Sequence, residues 1–197
     1  MKNITLVIVV IVVAIVIFAA TPTSQAQQAK KFDDYFEKQY GALGKTTEEI
    51  LSHENATNSI TVYYALHWRI GQKAVPRLTD TERKLLAARW LESEVNCGGF
   101  EQYFSNSEGD NAELALTSLK EMDATNTATV LERAMGVFPN GKPPANRFKR
   151  HVVMQQIDAQ SKPVWKKCDS EFDGCKESII NLSLDYAKKK RADIVLP

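Results

Sequence analysis

The sequence predicts an all-α fold, a compact single-domain multi-helix bundle preceded by an N-terminal apolar signal or anchor helix. Three observations carry that expectation. Apolar residues recur at helical spacing from Phe32 to Tyr186, capping signals precede several of these runs, and no segment alternates apolar and polar residues long enough to make a strand. By boundaries, residues 1–26 read as signal peptide or signal anchor, 27–45 as linker and N-terminal helix, 46–190 as the helical domain and 191–197 as a C-terminal tail.

Taken in order, Ile4 to Ala20 is a run of 17 residues without a charge, with Thr5 its only polar member, preceded by Lys2. Ser24-Gln25-Ala26 then offers a small-x-small cleavage site before Gln27. A signal-peptide core spans about 7–15 residues and a membrane-spanning helix about 17–25, so a cleaved signal and an uncleaved anchor both stay open. Either places the rest of the chain outside the cytoplasm: periplasmic, membrane-anchored facing outward, or secreted.

Beyond it, Phe32, Tyr35, Phe36 and Tyr40 share a helical face, as do Ile60, Tyr63, Tyr64, His67 and Ile70. Thr79-Asp80-Thr81-Glu82 is a capping box that opens a helix through Leu86, Trp90, Leu91 and Val95, and Gly98-Gly99 ends it. Asp110-x-x-Glu113 reads as a second capping box, before Ala112, Leu116, Leu119 and Met122. Ala128, Leu131, Ala134 and Phe138 mark another helix, and Pro139 to Asn146 is the clearest loop. Phe148, Val152 and Gln156 suggest one helix, Pro163 at a first helical position starts the next, and Cys175, Ile179, Leu182 and Tyr186 mark the last.

With 197 residues, 44% hydrophobic and 25% charged, the chain suits one globular domain. Lys+Arg 25 against Asp+Glu 24 excludes a strongly basic nucleic-acid binder, and no nucleic-acid partner is expected. Three cysteines are too few for a disulfide-built mini-fold. HExxH, paired CxxC, Walker and dinucleotide-glycine patterns are all missing, so the pattern calls for no metal and no cofactor.

The most unusual stretch is Glu92 to Gly109, which gathers Glu94, Asn96, Gln102, Tyr103, Asn106 and Ser107 around Gly98-Gly99, with Phe100 and Phe104 between them. Such a cluster either fixes an unusual turn or reads a partner's polar groups. Cys97 lies in no nucleophile motif, although His53, His67 and His151 are available as bases. Cys168 and Cys175 would stand about 10.5 Å apart on one continuous helix, too far to bridge. A turn at Asp173-Gly174 removes that objection, and an oxidising compartment favours a Cys168–Cys175 disulfide; the alternative keeps all three thiols reduced. Asn55-Ala-Thr57 and Asn181-Leu-Ser183 are glycosylation sequons.

The run Leu91-Glu-Ser-Glu-Val-Asn-Cys-Gly-Gly-Phe-Glu-Gln-Tyr-Phe-Ser-Asn-Ser-Glu-Gly109 resembles the signature of a bacterial family of largely uncharacterised helical domains that includes a DNA-mimic protein. Its pattern reads roughly L-x-x-E-V-N-N-G-G-F-x-Q-Y-F-x-N-S-x-G, and looser similarity extends over residues 78–189. The resemblance implies an all-helical fold, with Glu94, Asn96, Gly98, Gly99, Phe100, Gln102, Tyr103, Asn106, Ser107 and Gly109 as the family's shared residues. Cys97 stands where the family has Asn, which argues against a shared cysteine mechanism. The mimic member is acidic and acts on a cytoplasmic DNA-binding partner, whereas this chain is neutral, and Glu48, Glu49 and Glu54 form too small a patch to imitate phosphates.

The function expected is an exported, non-enzymatic protein-binding domain of inhibitor or immunity type, with Phe100, Tyr103 and Phe104 as exposed anchors for a protein partner. Two alternatives stand beside it. One is an envelope enzyme using Glu94 as general acid/base, with Asn96, Gln102 and Tyr103 orienting substrate. The other is a structural envelope component held in the membrane by residues 4–20.

Overall fold

The computed structural model describes residues 22–54 and 57–197, and all regular structure among them is helical. The expected signal or anchor, Ile4–Ala20, lies outside the described residues, as does Asn55 of the first sequon. Among the described residues no helix is long and apolar enough to cross a membrane. The chain forms two compact units, one ending at Gly44 and one spanning Lys45–Pro197.

In the first unit, helix α1 (Pro22–Tyr40) passes through the Ala26–Gln27 bond and ends in a 3-10 turn, Gly41–Leu43. Phe36 contacts Tyr35 and Tyr40 at ring-centroid distances of 5.5 and 5.4 Å.

The second unit opens with α2 (Thr47–Ser52), whose capping box pairs Thr46 with Glu49, a signal present in the sequence and missed above. Helix α3 (Ser59–Gly71) starts at Asn58, whose side chain accepts from the Ile60 N–H. The long α4 (Asp80–Ser105) begins as expected, with Thr79 accepting from Glu82 N–H and Glu82 reaching back to Thr79 N–H at 2.8 Å. Glu82 is fully buried and also accepts from Lys73 Nζ (2.5 Å) and Val195 N–H (2.8 Å). The expected C-terminal tail is therefore tied to the start of α4, and Thr47 Oγ1 donates to Ile194 O at 3.0 Å.

Four helices complete the unit: α5 (Ala112–Glu121), α6 (Thr125–Met135), α7 (Arg147–Asp173) and α8 (Ile179–Lys189). Their core is aromatic at the centre. Phe104, fully buried, lies 4.9 Å from Phe138, 5.5 Å from Trp165 and 6.1 Å from Phe100, and Trp165 Nε1 donates to Ala134 O at 2.9 Å. His67 is buried as well, its ring nitrogens against the carbonyls of Tyr63 and Leu85. Burial, with the Arg89 charge adding to it, pushes its pKa down to about 3, so the ring is neutral near pH 7 and is a packed core histidine.

Several expectations are corrected here. Asp110 and Glu113 form no capping box: α5 starts after Asn111 without a side-chain cap, because Asp110 is held by Arg150. Pro163 does not start a helix but sits inside α7. The bond it removes would have used the Ala159 carbonyl, and both residues face solvent, where water replaces the lost donor. Phe148 (82% exposed) and Val152 (55%) face outward; α7 buries the opposite side, Arg150, Ile157, Ser161, Trp165, Cys168 and Phe172.

The Cys168–Cys175 disulfide is absent and all three cysteines are free. Helix α7 runs on to Asp173, so Cys168 points into the core five residues before the turn while Cys175 lies beyond it. Cys175 also precedes the last helix, which starts after Ser178.

The start of α6 is capped from a distance. Glu177 accepts from the backbone N–H groups of Asn126 and Thr127 (both 2.9 Å) and from the Thr127 hydroxyl (2.9 Å). Burial raises the Glu177 pKa, but these hydrogen bonds outweigh it and hold the carboxyl below its ordinary value. A depressed carboxyl contributes stability above its unfolded-state pKa and loses it as pH falls through the folded-state value. Glu177→Gln is expected to cost about 1–2 kcal/mol near neutral pH. Thermal unfolding should show that gap closing once the pH drops below the ordinary carboxylate range.

Candidate functional site

The Glu92–Gly109 stretch folds as a helix, a break and a second helix. Gly98 (φ −161°, ψ 21°) and Gly99 (φ 75°, ψ −175°) interrupt α4, as the paired glycines predict. A positive φ at Gly99 favours glycine, and a Cβ there would lie 2.5 Å from the Asp169 carboxylate. That carboxylate reaches over from α7 to accept the Phe100 N–H at 2.8 Å, capping the second half of α4.

Glu94 spans the break. Its Oε2 accepts from Gln102 Nε2 at 3.0 Å and from Asn106 Nδ2 at 2.7 Å, joining the first half of α4 to the end of the second. The half-buried carboxylate is thus the acceptor for two motif amides, an arrangement that fixes the bend. Phe100, Tyr103 and Phe104 are fully buried, which corrects the expectation that they are exposed anchors: the break turns their side chains inward onto Phe138, Phe172 and Trp165. Asn96 and Ser107 are exposed, as is Glu101 between them.

A residue missed from the sequence completes the site. Arg150, fully buried, donates Nε to Phe104 O (2.6 Å), Nη2 to Asn106 O (2.7 Å), and Nη1 to Pro144 O (2.7 Å) and Asp110 Oδ1 (2.7 Å). Its neighbour His151 places Nε2 2.7 Å from Ser105 O. Adjacent α7 side chains therefore satisfy three successive carbonyls at the C-terminal, negative end of α4. Only the position of Arg150, directly after Lys149, marks it in the sequence, and there it reads as a surface cation.

Tyr103 is the motif's exception. Its hydroxyl is buried with no hydrogen-bond partner among the described residues, and burial pushes the phenol well above its ordinary pKa. Tyr103→Phe should therefore leave stability unchanged or raise it by about 1 kcal/mol. A loss of more than that in a denaturant titration would mean the hydroxyl is satisfied in solution.

The thiol of Cys97 is raised above its ordinary pKa by burial and then by the charge of Glu94, the opposite of what a nucleophile requires. An open groove of ≈ 200 Å³ lies between α4 and α7, edged by Glu101, His151, Asp158 and Trp165. That is below the range of about 300–1,000 Å³ typical of small-molecule sites. Among the described residues no group of His, Cys, Asp and Glu is placed to hold a metal ion.

No curated protein and no solved structure matches the chain. Residues 76–190, well over half its length, match the DMP19-like protein family, and they take in every element that builds the braced bend. The chain belongs to the DMP19-like family.

Proposed function

We propose that this chain is an exported protein-binding domain that covers a cationic surface of its partner, in the manner of an inhibitor or immunity protein. One observation carries the reading. Between Arg89 and Lys120 lie 30 residues with six carboxylates and neither Lys nor Arg; Glu92 is held by Tyr63, Glu94 by Gln102 and Asn106, and Asp110 by Arg150, which leaves Glu101, Glu108 and Glu113 for a partner. Glu101 is exposed and Glu113 keeps 63% of its side chain in solvent, its nearest cation being Lys142 at 3.9 Å. Exposed Asn96 and Ser107 lie in the same stretch and offer hydrogen bonds beside these charges. A surface of one sign steers and selects a partner of the other sign. Membership of a family that includes a DNA-mimic protein supports a protein partner. Export rests on the apolar run Ile4–Ala20 and the small residues that follow it.

The test is crosslinking in intact cells of the full chain and of a Glu101→Lys, Glu113→Lys variant, followed by mass spectrometry. One stoichiometric partner, lost on charge reversal and carrying a basic surface, is the expected result. Equal recovery from both proteins, or recovery of none, overturns the reading. Both substitutions are on exposed positions.

A further inference from the structure

We infer that the outer face of α7 rests on an anionic membrane surface. The geometry is that of an amphipathic helix lying in a plane. At about 100° per residue, Phe148, Val152, Ala159, Pro163 and Lys166 fall within about 60° of one line along α7, which they share with the uncharged Gln155, Gln156 and Ser170. All are exposed, Phe148 at 82% and Val152 at 55%. Exposed cations border the stripe, Lys149 and Lys167 on one side and Lys162 on the other, with Lys162 paired to Asp158. From Arg147 to Lys167 the helix carries six Lys or Arg against one acid, and of the six only Arg150 is buried.

Phe148 and Val152, one turn apart, take no part in the core, which α7 meets with its opposite side. Apolar side chains flanked by lysines whose stems can extend past them suit the headgroup boundary, where rings and methyls enter and ammonium groups meet lipid phosphates. A neutral lipid surface or an acid-poor protein would leave the lysines unmatched. The sequence also carries an uncharged run, Ile4–Ala20, of a length to hold the chain at a membrane. Glu101 of the proposed partner site edges the same groove as α7, on the Lys162 side of the stripe, but Phe148→Ser on one side and Glu101→Lys, Glu113→Lys on the other read the two surfaces apart.

The full chain is reconstituted into vesicles of phosphatidylcholine alone or with about one-quarter phosphatidylglycerol, a fraction that gives a clear negative surface potential. A water-soluble amine-acetylating reagent then reports lysine access by mass spectrometry. Expected is a fall of about fivefold or more in modification of Lys149, Lys166 and Lys167 on the anionic vesicles only, reversed by high salt. Lys120, more than half exposed on α5, serves as the unchanged reference. Phe148→Ser, at an exposed position, should abolish most of that protection without altering thermal unfolding. Equal modification on both vesicles overturns the inference. Protection that appears only when a cell extract is added also overturns it, and assigns the face to a protein.

Discussion

Replacing Arg150 with methionine is expected to cost ~3–5 kcal/mol, because it leaves several backbone acceptors unpaired at about 1–3 kcal/mol each. Methionine roughly fills the space but offers no donor. The carbonyls of Phe104, Asn106 and Pro144, each within 2.7 Å of the guanidinium, would lose their bonds together with the Asp110 carboxylate. Two of these carbonyls end α4, where the helix dipole is negative, so the charge is lost along with the bonds. Arg150→Lys should recover only part of the loss, because one ammonium cannot reach three directions at once. Against a domain stability of about 5–15 kcal/mol, the methionine variant should shift the denaturant midpoint far down or fail to fold. A midpoint within experimental error of the parent would mean that water satisfies these acceptors as well as Arg150 does.

The role of Arg150 also explains what the sequence could and could not reveal. Local devices were legible: Thr79 and Glu82 cap α4 because both partners lie within one turn, and Gly98-Gly99 breaks it because glycine bears the conformation needed. The all-helical class followed from periodicity in the same way. Distant devices were hidden. Asp110 looked like half of a capping box because its sequence neighbour Glu113 is visible and its true partner, 40 residues on, is not. The cap on α6 comes from Glu177, 50 residues beyond Thr127.

Periodicity also misled where polarity and burial part company. Helix α7 buries Arg150 and Ser161 and exposes Phe148 and Val152, so the apolar spacing identified a helix but named the wrong face. Pro163 was read as a helix start because proline lacks a donor, yet on a solvent-facing turn that donor is dispensable. The motif residues gather around one bend, but the burial of Phe100, Tyr103 and Phe104 followed from the direction of that bend, which depends on Asp169 and Arg150 from α7.

The last motif glycine gives the sharpest separation between a residue kept for packing and one kept for contact with a partner. Gly109 needs no unusual dihedral, yet a Cβ there would lie 2.6 Å from Tyr103 O, 3.1 Å from Phe104 Cα and 3.1 Å from Arg150 Nε. Two of these three atoms are backbone at the end of α4, and the third is pinned between Phe104 O and its other acceptors, so none can swing aside. Gly109→Ala is therefore expected to cost about 2–3 kcal/mol, an overpacking penalty paid mainly through displacement of the α4 terminus. Combined with Arg150→Met, the second substitution should add only somewhat less than its separate cost, because the Nε contact is gone while the clashes with Tyr103 O and Phe104 Cα remain. Denaturant unfolding of the two single variants and the double variant measures that coupling. Full additivity would show that the Nε contact carries none of the Gly109 cost, and a second cost near zero would show that the guanidinium, not the α4 backbone, is what the methyl displaces.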